Sequence, residues 1–176
     1  MGQMLTKKLI QTILAQYSLE WNGTHGISHW ARVLENGLRL ARETGAVVQV
    51  VELFAIFHDS QRINESYDTN HGLRGAEYAT TLRGRLFNLP DEHFDLLYAA
   101  CAHHTDGLTT GDITMQTCWD ADRLDLGRVC IEPDPKWLCT DAAKNPQVIA
   151  WGNQRSQART VPAFVRAEWA IIESPP

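Results

Sequence analysis

The chain has 176 residues, of which 44% are hydrophobic and 21% charged, and its formal net charge is −5 with a sequence pI near 5.8. This length fits one domain with its own core, so we expect a single domain over residues 1–176. The scattered Lys and Arg residues argue against a long nucleic-acid partner. With no apolar run of membrane-spanning length and no secretion leader, we expect a cytoplasmic protein without a membrane partner.

Apolar residues recur at helical spacing from the first residues onward. Residues 4–21 predict an amphipathic helix, and Thr24 is a candidate N-cap for a second helix that begins with His25 and His29 and ends at Gly45. The apolar stretch "AVVQVVELFAIF" could be a strand because of its valines, but it lacks period-two alternation. We therefore predict a third helix from residue 47 to about residue 59.

Helical patterns continue through the rest of the chain. They predict helices within residues 70–87, 89–107, 111–128 and 160–172, and a turn or single helical turn in "EPDPKWLCTD". No segment alternates convincingly as a strand. The predicted fold class is therefore all-α, a compact helical domain.

Histidine and aspartate recur where the predicted helices begin or end. Histidine nitrogen and carboxylate oxygen together suit iron, manganese, zinc, cobalt or nickel better than calcium. The candidates in chain order are His29, His58, Asp59, His71, His104 and Asp122, with His25 and His103 beside them. Asp120 and Asp125 are alternatives to Asp122 as the metal ligand. Any of the three could instead be a helix cap or a surface charge.

A cysteine zinc site is the alternative that the composition leaves open. Cys118, Cys130 and Cys139 could supply thiolates, but the four cysteines of the chain form no CxxC pair. We expect reduced thiols instead.

The order of His29 in "HGISHWARV", then "HD" at 58–59, then Asp122 in "DADRLD" resembles the HD superfamily of metal-dependent phosphohydrolases. The resemblance covers residues 24–128 and leaves a C-terminal extension at 132–176. It implies an HD-domain fold in which His29, His58, Asp59 and Asp122 hold one divalent ion. His71 and His104 stand where two-metal members of the superfamily have extra ligands, so the resemblance implies one or two ions with Asp59 as the bridge.

The activity implied by this resemblance is hydrolysis of a small phosphate ester, such as a nucleotide or a phosphorylated metabolite. Two ions about 3.5–4 Å apart would lower the pKa of a bridging water. Asp59 and Arg62 are the expected catalytic groups, and Arg62 could also bind a phosphate oxygen bidentately. His103 could protonate the leaving group, and His25 could touch the substrate.

Several alternatives stay open at the level of sequence. The same ligand set serves diiron oxygenases of the superfamily, and a non-catalytic nucleotide-binding module is a third possibility. Arg123 and Arg128 could contact phosphate, although surface pairing with Asp125 is their default interpretation. The GYP motif of cyclic-dinucleotide phosphodiesterases is missing after "HHTDG".

Overall fold

A computed structural model describes residues 4–169, and every regular element within that range is helical. This confirms the all-α fold class and the helical interpretation of residues 46–57. None of the helices described is long and apolar enough to cross a membrane. Two single-turn 3₁₀ helices lie at Leu126–Val129 and Pro135–Trp137, and the α-helices are α1 (Lys7–Leu14), α2 (Ile27–Thr44), α3 (Val48–Phe57), α4 (His71–Leu82), α5 (Asp91–His103), α6 (Ile113–Arg123), α7 (Asp141–Lys144), α8 (Pro146–Gln157) and α9 (Ala163–Ala167).

Helix α2 is central to the packing, because it contacts both α3 and α6. Helices α4 and α5 pack against each other, and α3 contacts both of them. Its apolar stripe includes Trp30 and Leu34, which are fully buried against residues such as Phe54 of α3. Helix α3 is buried on nearly all sides, which explains its continuous apolar sequence. Gly45 ends α2 in the left-handed conformation (φ 73°), as predicted.

The N-terminal region differs from the prediction. Helix α1 begins after Thr6, whose hydroxyl accepts a hydrogen bond from the Leu9 amide, and it covers less than half of residues 4–21. Thr24 does not cap α2, because the chain folds back so that the Ile27 amide bonds to the Trp21 carbonyl at 2.8 Å. Gly26 is the N-cap, and a Cβ atom there would meet the Trp21 carbonyl oxygen at 2.1 Å. His25 therefore precedes the helix.

The C-terminal extension was expected to be helical, but two of its helices were not predicted individually. Thr140 caps α7, and Asn145 caps α8 with Pro146 in the first turn. Helix α8 packs against the 3₁₀ turn that follows α6, where a Cβ atom at Gly127 would meet Ser156 and Asn153 side-chain oxygens. Helix α9 covers only part of the predicted helix at 160–172, and residues 170–172 lie outside the described residues.

Candidate metal centre

Six sequence-predicted ligands come together at the ends of five helices. His29 lies in the first turn of α2 and Asp122 in the last turn of α6, while His58 and Asp59 directly follow α3. His71 is the first residue of α4 and His104 directly follows α5. Five of these residues are buried, and Asp122 keeps 13% of its side chain exposed.

The first group of ligand atoms is formed around His29. Its Nε2 atom lies 3.0 Å from His58 Nε2, 3.5 Å from Asp59 Oδ2 and 3.4 Å from Asp122 Oδ1. Asp122 Oδ1 also lies 3.9 Å from His58 Nε2. His29, His58 and Asp59 meet the spacing of a metal site. Asp122 Oδ1 lies beside the two histidines of this group.

The second group of ligand atoms uses the other oxygen of Asp59. Asp59 Oδ1 lies 3.0 Å from His71 Nε2 and 3.6 Å from His104 Nε2. The two histidine Nε2 atoms are themselves 3.0 Å apart. Asp59 thus presents Oδ2 to the first group and Oδ1 to the second, which is the arrangement of a bridging carboxylate.

All four histidines are held by the ring nitrogen that points away from the centre. Nδ1 of His58 donates to the Phe54 carbonyl at 3.1 Å, and Nδ1 of His71 donates to the Asp68 carbonyl at 2.7 Å. His104 donates to the Cys101 carbonyl and His29 to the Asp125 carboxylate, each at 2.7 Å. In the neutral form of an imidazole that donates through Nδ1, the Nε2 atom carries a lone pair and can bind a metal.

These inward atoms fit a divalent metal ion. Lone pairs that face each other at 3.0 Å in a buried site repel unless a cation or a proton lies between them. Asp59 Oδ1 and Asp122 Oδ1 are also buried without a hydrogen-bond partner. A mixed set of imidazole nitrogens and carboxylate oxygens is typical of transition-metal sites.

Burial and the short distances between the ligand side chains shift the pKa values of His58, Asp59 and His104. Burial lowers the pKa of His58 to about 3, so its ring stays neutral. Burial also opposes ionisation of the Asp59 carboxyl, but the surrounding histidines outweigh it and hold its pKa well below the ordinary value. At His104 the interactions with Asp59 and Asp122 outweigh burial and raise the pKa.

Sequence reasoning missed a pair of residues behind the first group. Asp125, interpreted as a cap or a surface charge, is buried and accepts from His29 Nδ1. Its two oxygens also accept from Nε and Nη2 of Arg32, at 2.6 and 2.9 Å. Arg32 lies three residues after His29, so the helical spacing was a usable signal for a second residue on the same face.

Arg62 lies beside the second group, but not as a bidentate donor. Its Nε and Nη2 atoms donate to the carbonyls of Asn64 and Ser66. The remaining Nη1 atom lies 3.1 Å from His71 Nε2 and 3.6 Å from Asp59 Oδ1. The guanidinium is therefore fixed with one nitrogen toward the centre.

The two further histidines differ in their placement. His25 is buried next to the first group, with its ring centre 6.3 Å from that of His29, and its Nδ1 pairs with the Glu65 carboxylate at 2.5 Å. The structure does not bring His103 into the cluster, since its side chain is 51% exposed and pairs with Asp106. Adjacent residues of a helix point about 100° apart, so His104 and His103 cannot both face inward.

Neither arginine after Asp122 is a surface charge. Arg123 donates to the carbonyls of Leu108 and Trp137. Arg128 does pair with Asp125, but in a buried position: its Nη1 donates to the Asp125 carbonyl at 3.1 Å, and its Nη2 lies 3.7 Å from Asp122 Oδ1. The cysteine alternative has no support in residues 4–169, because the two groups of metal-ligand spacing found there contain no cysteine.

Comparison with known proteins gives one solved structure with a similar fold. No protein-family model matches the chain, and no curated protein matches its sequence. The similar structure is a predicted HD superfamily hydrolase from an uncultured Thermotogales bacterium, with 23% sequence identity and a TM-score of 0.64. The match covers 86% of this chain and 87% of that one. The chain therefore has the fold of the HD superfamily, as the resemblance of its sequence predicted.

Proposed function

We propose that this chain is a metal-dependent phosphohydrolase that releases phosphate from a small phosphate ester, such as a nucleotide or another phosphorylated metabolite. The observation that carries the proposal is the set of four inward Nε2 atoms around Asp59, each ring held at Nδ1. The solved structure with the same fold, described as a predicted hydrolase, supports the same reaction class.

The ligand atoms form two sets that share Asp59. His29, His58, Asp59 and Asp122 would hold one ion, and Asp59, His71 and His104 would hold a second. Iron, manganese, cobalt, zinc and nickel all accept this mixture of donors. When bound, such ions supply a water of lowered pKa and polarise the oxygens of a phosphoryl group.

The chain itself supplies positive charge on both sides of the centre. Arg62 Nη1 lies 3.6 Å from Asp59 Oδ1, and Arg128 Nη2 lies 3.7 Å from Asp122 Oδ1. These two guanidinium groups would bind and orient the phosphate oxygens. Asp125 fixes the ring of His29, and the proposed contact of His25 with substrate agrees with its buried position next to His29.

A direct test measures phosphate release. The protein is stripped with a chelator, reloaded with manganese, cobalt or ferrous iron, and incubated with phosphomonoesters and nucleotides with and without oxygen. We expect metal-dependent phosphate release that does not require oxygen. Asp59→Ala should fall below about 1% of that rate, because it removes the ligand shared by both groups. Asp95→Ala, which removes an exposed carboxylate of α5, is the control and should retain activity.

Two outcomes would contradict the proposal. Oxygen consumption by the iron-loaded protein without phosphate release would instead support the diiron oxygenase alternative. If the protein binds nucleotides but releases no phosphate with any of the metals, the result would support a non-catalytic binding module.

A further inference from the structure

A cavity of about 450 Å³ opens beside His104, within the size range of small-molecule sites. One wall is the segment after α5, which includes Thr105 and Gly107. The facing wall is the segment 131–138. That second wall lies outside residues 24–128, so residues of the C-terminal extension line a cavity that also contacts one candidate ligand, His104.

Apolar side chains dominate the second wall. Ile131 and Trp137 both line the cavity and keep 53% and 54% of their surfaces exposed. Leu126 and Leu138 also line this cavity. Large apolar side chains that remain exposed around a concavity are typical of a surface that binds a ligand.

Hydrogen bonds from buried polar side chains connect the two walls. Arg123 donates through Nη2 to the Leu108 carbonyl and through Nη1 to the Trp137 carbonyl, each at 2.7 Å. Asp120 accepts from the backbone amides of Cys139 and Thr140 at 2.7 and 2.8 Å. The cavity is therefore held open by the fold, and these contacts take up the two terminal nitrogens of Arg123.

Arg123 is the guanidinium that lines the cavity, and both of its terminal nitrogens already donate to backbone carbonyls. Glu132 and Asp134 both line the cavity, and the charge of Asp134 is balanced by Lys136 at 2.8 Å. The cations that face the metal ligands are instead Arg62 and Arg128. A phosphate would therefore bind at the metal centre, and the cavity beside His104 would receive the part of the substrate that carries no charge.

We infer that this cavity binds the organic part of the phosphate ester and selects a flat, uncharged aromatic ring, which stacks on the indole of Trp137. The inference rests on the proposed function and names its substrate class: phosphate monoesters of alcohols that carry an aromatic ring. A nucleoside monophosphate belongs to this class, whereas a simple sugar phosphate does not.

The test compares two substrates with the same reacting group. Adenosine 5′-monophosphate and ribose 5-phosphate both release phosphate from the 5′ oxygen of a ribose, and only the first carries a ring system. We expect a kcat/KM about 10-fold higher for the nucleotide, because stacking of one base on an aromatic side chain corresponds to about 5- to 100-fold in affinity.

Variants at Trp137 separate stacking from a general structural effect. Trp137→Ala keeps the backbone carbonyl that Arg123 binds, so the wall should stay in place. It should lower kcat/KM for the nucleotide about 10-fold and change that for ribose 5-phosphate less than about 2-fold. Trp137→Phe should restore most of the loss, and Trp151→Ala, a tryptophan outside this cavity, should change neither substrate.

A binding measurement makes this inference independent of turnover. Calorimetric titration with adenosine, which has no phosphate, should give binding to the wild-type protein and about 10-fold weaker binding to Trp137→Ala. Equal binding by the two proteins would overturn the inference even if phosphate is released. Adenosine binding that depends on Trp137, without phosphate release from any ester, would uphold the cavity assignment and contradict the proposed hydrolase.

Discussion

At the scale of single residues, the support behind the ligands is as informative as the ligands. Asp125 accepts the Nδ1 proton of His29 and is itself held by Arg32. This chain of contacts fixes which nitrogen of His29 carries the proton and how the ring is turned. The first group of ligand atoms therefore depends on a carboxylate that binds no metal.

Asp125→Asn should weaken metal binding without removing a ligand. The amide is a poorer partner for both His29 and Arg32, so we expect metal affinity to fall about 10–100-fold. The measurement is competition for the metal with a chelator of known affinity. Unchanged affinity would show that Asp125 has no role in orienting His29.

Asp120→Asn is the matched control for this variant. Asp120 is a buried carboxylate of α6 that accepts from Cys139 and Thr140 rather than from a ligand. Its replacement should lower the denaturation midpoint while leaving metal affinity close to that of the wild type.

The candidate ligands could be predicted from the sequence because six histidine and aspartate residues occur in a fixed order. The roles of Asp125 and Arg128 could not, since a charged residue in a polar helix end is usually solvated. Contacts with the C-terminal extension lie beside both residues: α8 packs against the 3₁₀ helix that contains Arg128, and Arg32, the partner of Asp125, also donates to the Thr160 carbonyl. Residue type alone could not show that His104 faces the centre while His103 is exposed.

At the scale of elements, the second group depends on how closely α4 approaches the end of α5. Gly72 follows His71, and a Cβ atom there would meet the Cys101 carbonyl oxygen at 2.2 Å and His104 Nδ1 at 2.7 Å. That carbonyl also accepts the Nδ1 proton of His104. The absent side chain lets His71 and His104 meet.

Gly72→Ala should therefore separate these two ligands. We expect a loss of about 1–3 kcal/mol in the free energy of unfolding, measured with denaturant, from forced packing of the methyl group. Metal content should fall at the same time, because the second group loses its geometry.

Gly45→Ala is the control for Gly72→Ala, because it should destabilise the fold without moving a metal ligand. Gly45 has a φ of 73° and no atom within 4 Å of its would-be Cβ, so alanine adds backbone strain of about 1–2 kcal/mol without a clash. Its metal content should match that of the wild type. A Gly72→Ala protein with full metal content would refute the role assigned to this close approach.

Element types were predictable wherever apolar residues repeat at helical spacing, as in α2 and α3. Boundaries were less predictable, because tertiary contacts decide them: the contact of Ile27 with Trp21 sets the start of α2. Helices α7 and α8 escaped prediction because their apolar stripe is weak. Thr140, Asn145 and Pro146 nevertheless carried capping signals that favour helix starts.

At the scale of the whole molecule, the candidate centre joins most of the helical packing, since five helices supply its ligands. A metal that binds only the folded state stabilises that state by mass action. Removal of metal should therefore lower the melting temperature by about 5–10 °C for an ion present at 100 times its Kd.

Differential scanning calorimetry before and after chelation measures this shift. Acid should act in the same direction, because histidine must be neutral to bind a metal. The Asp59→Ala protein serves as the control, and its melting temperature should hardly respond to chelation. An identical response in both proteins would place the stabilising metal elsewhere.

The all-helical class and the HD-domain fold were predictable from the sequence because the metal ligands and the core helices follow one familiar order. The cavity beside His104 was not predictable. Its lining comes from residues 104–107, from Arg123 and Leu126, and from the segment 131–138. These segments are distant in sequence, and short apolar loop residues give no periodic signal.

The central proposal is that Asp59 is a ligand shared by two metal ions in one buried centre. The most direct measurement is the metal content per chain of wild-type protein and of Asp59→Ala, determined by elemental analysis with Asp120→Asn as the control. The account predicts about two ions per wild-type chain, a similar content in the control, and less than about 0.5 ion per chain in folded Asp59→Ala protein. Folded Asp59→Ala protein that retains the wild-type metal content would contradict it.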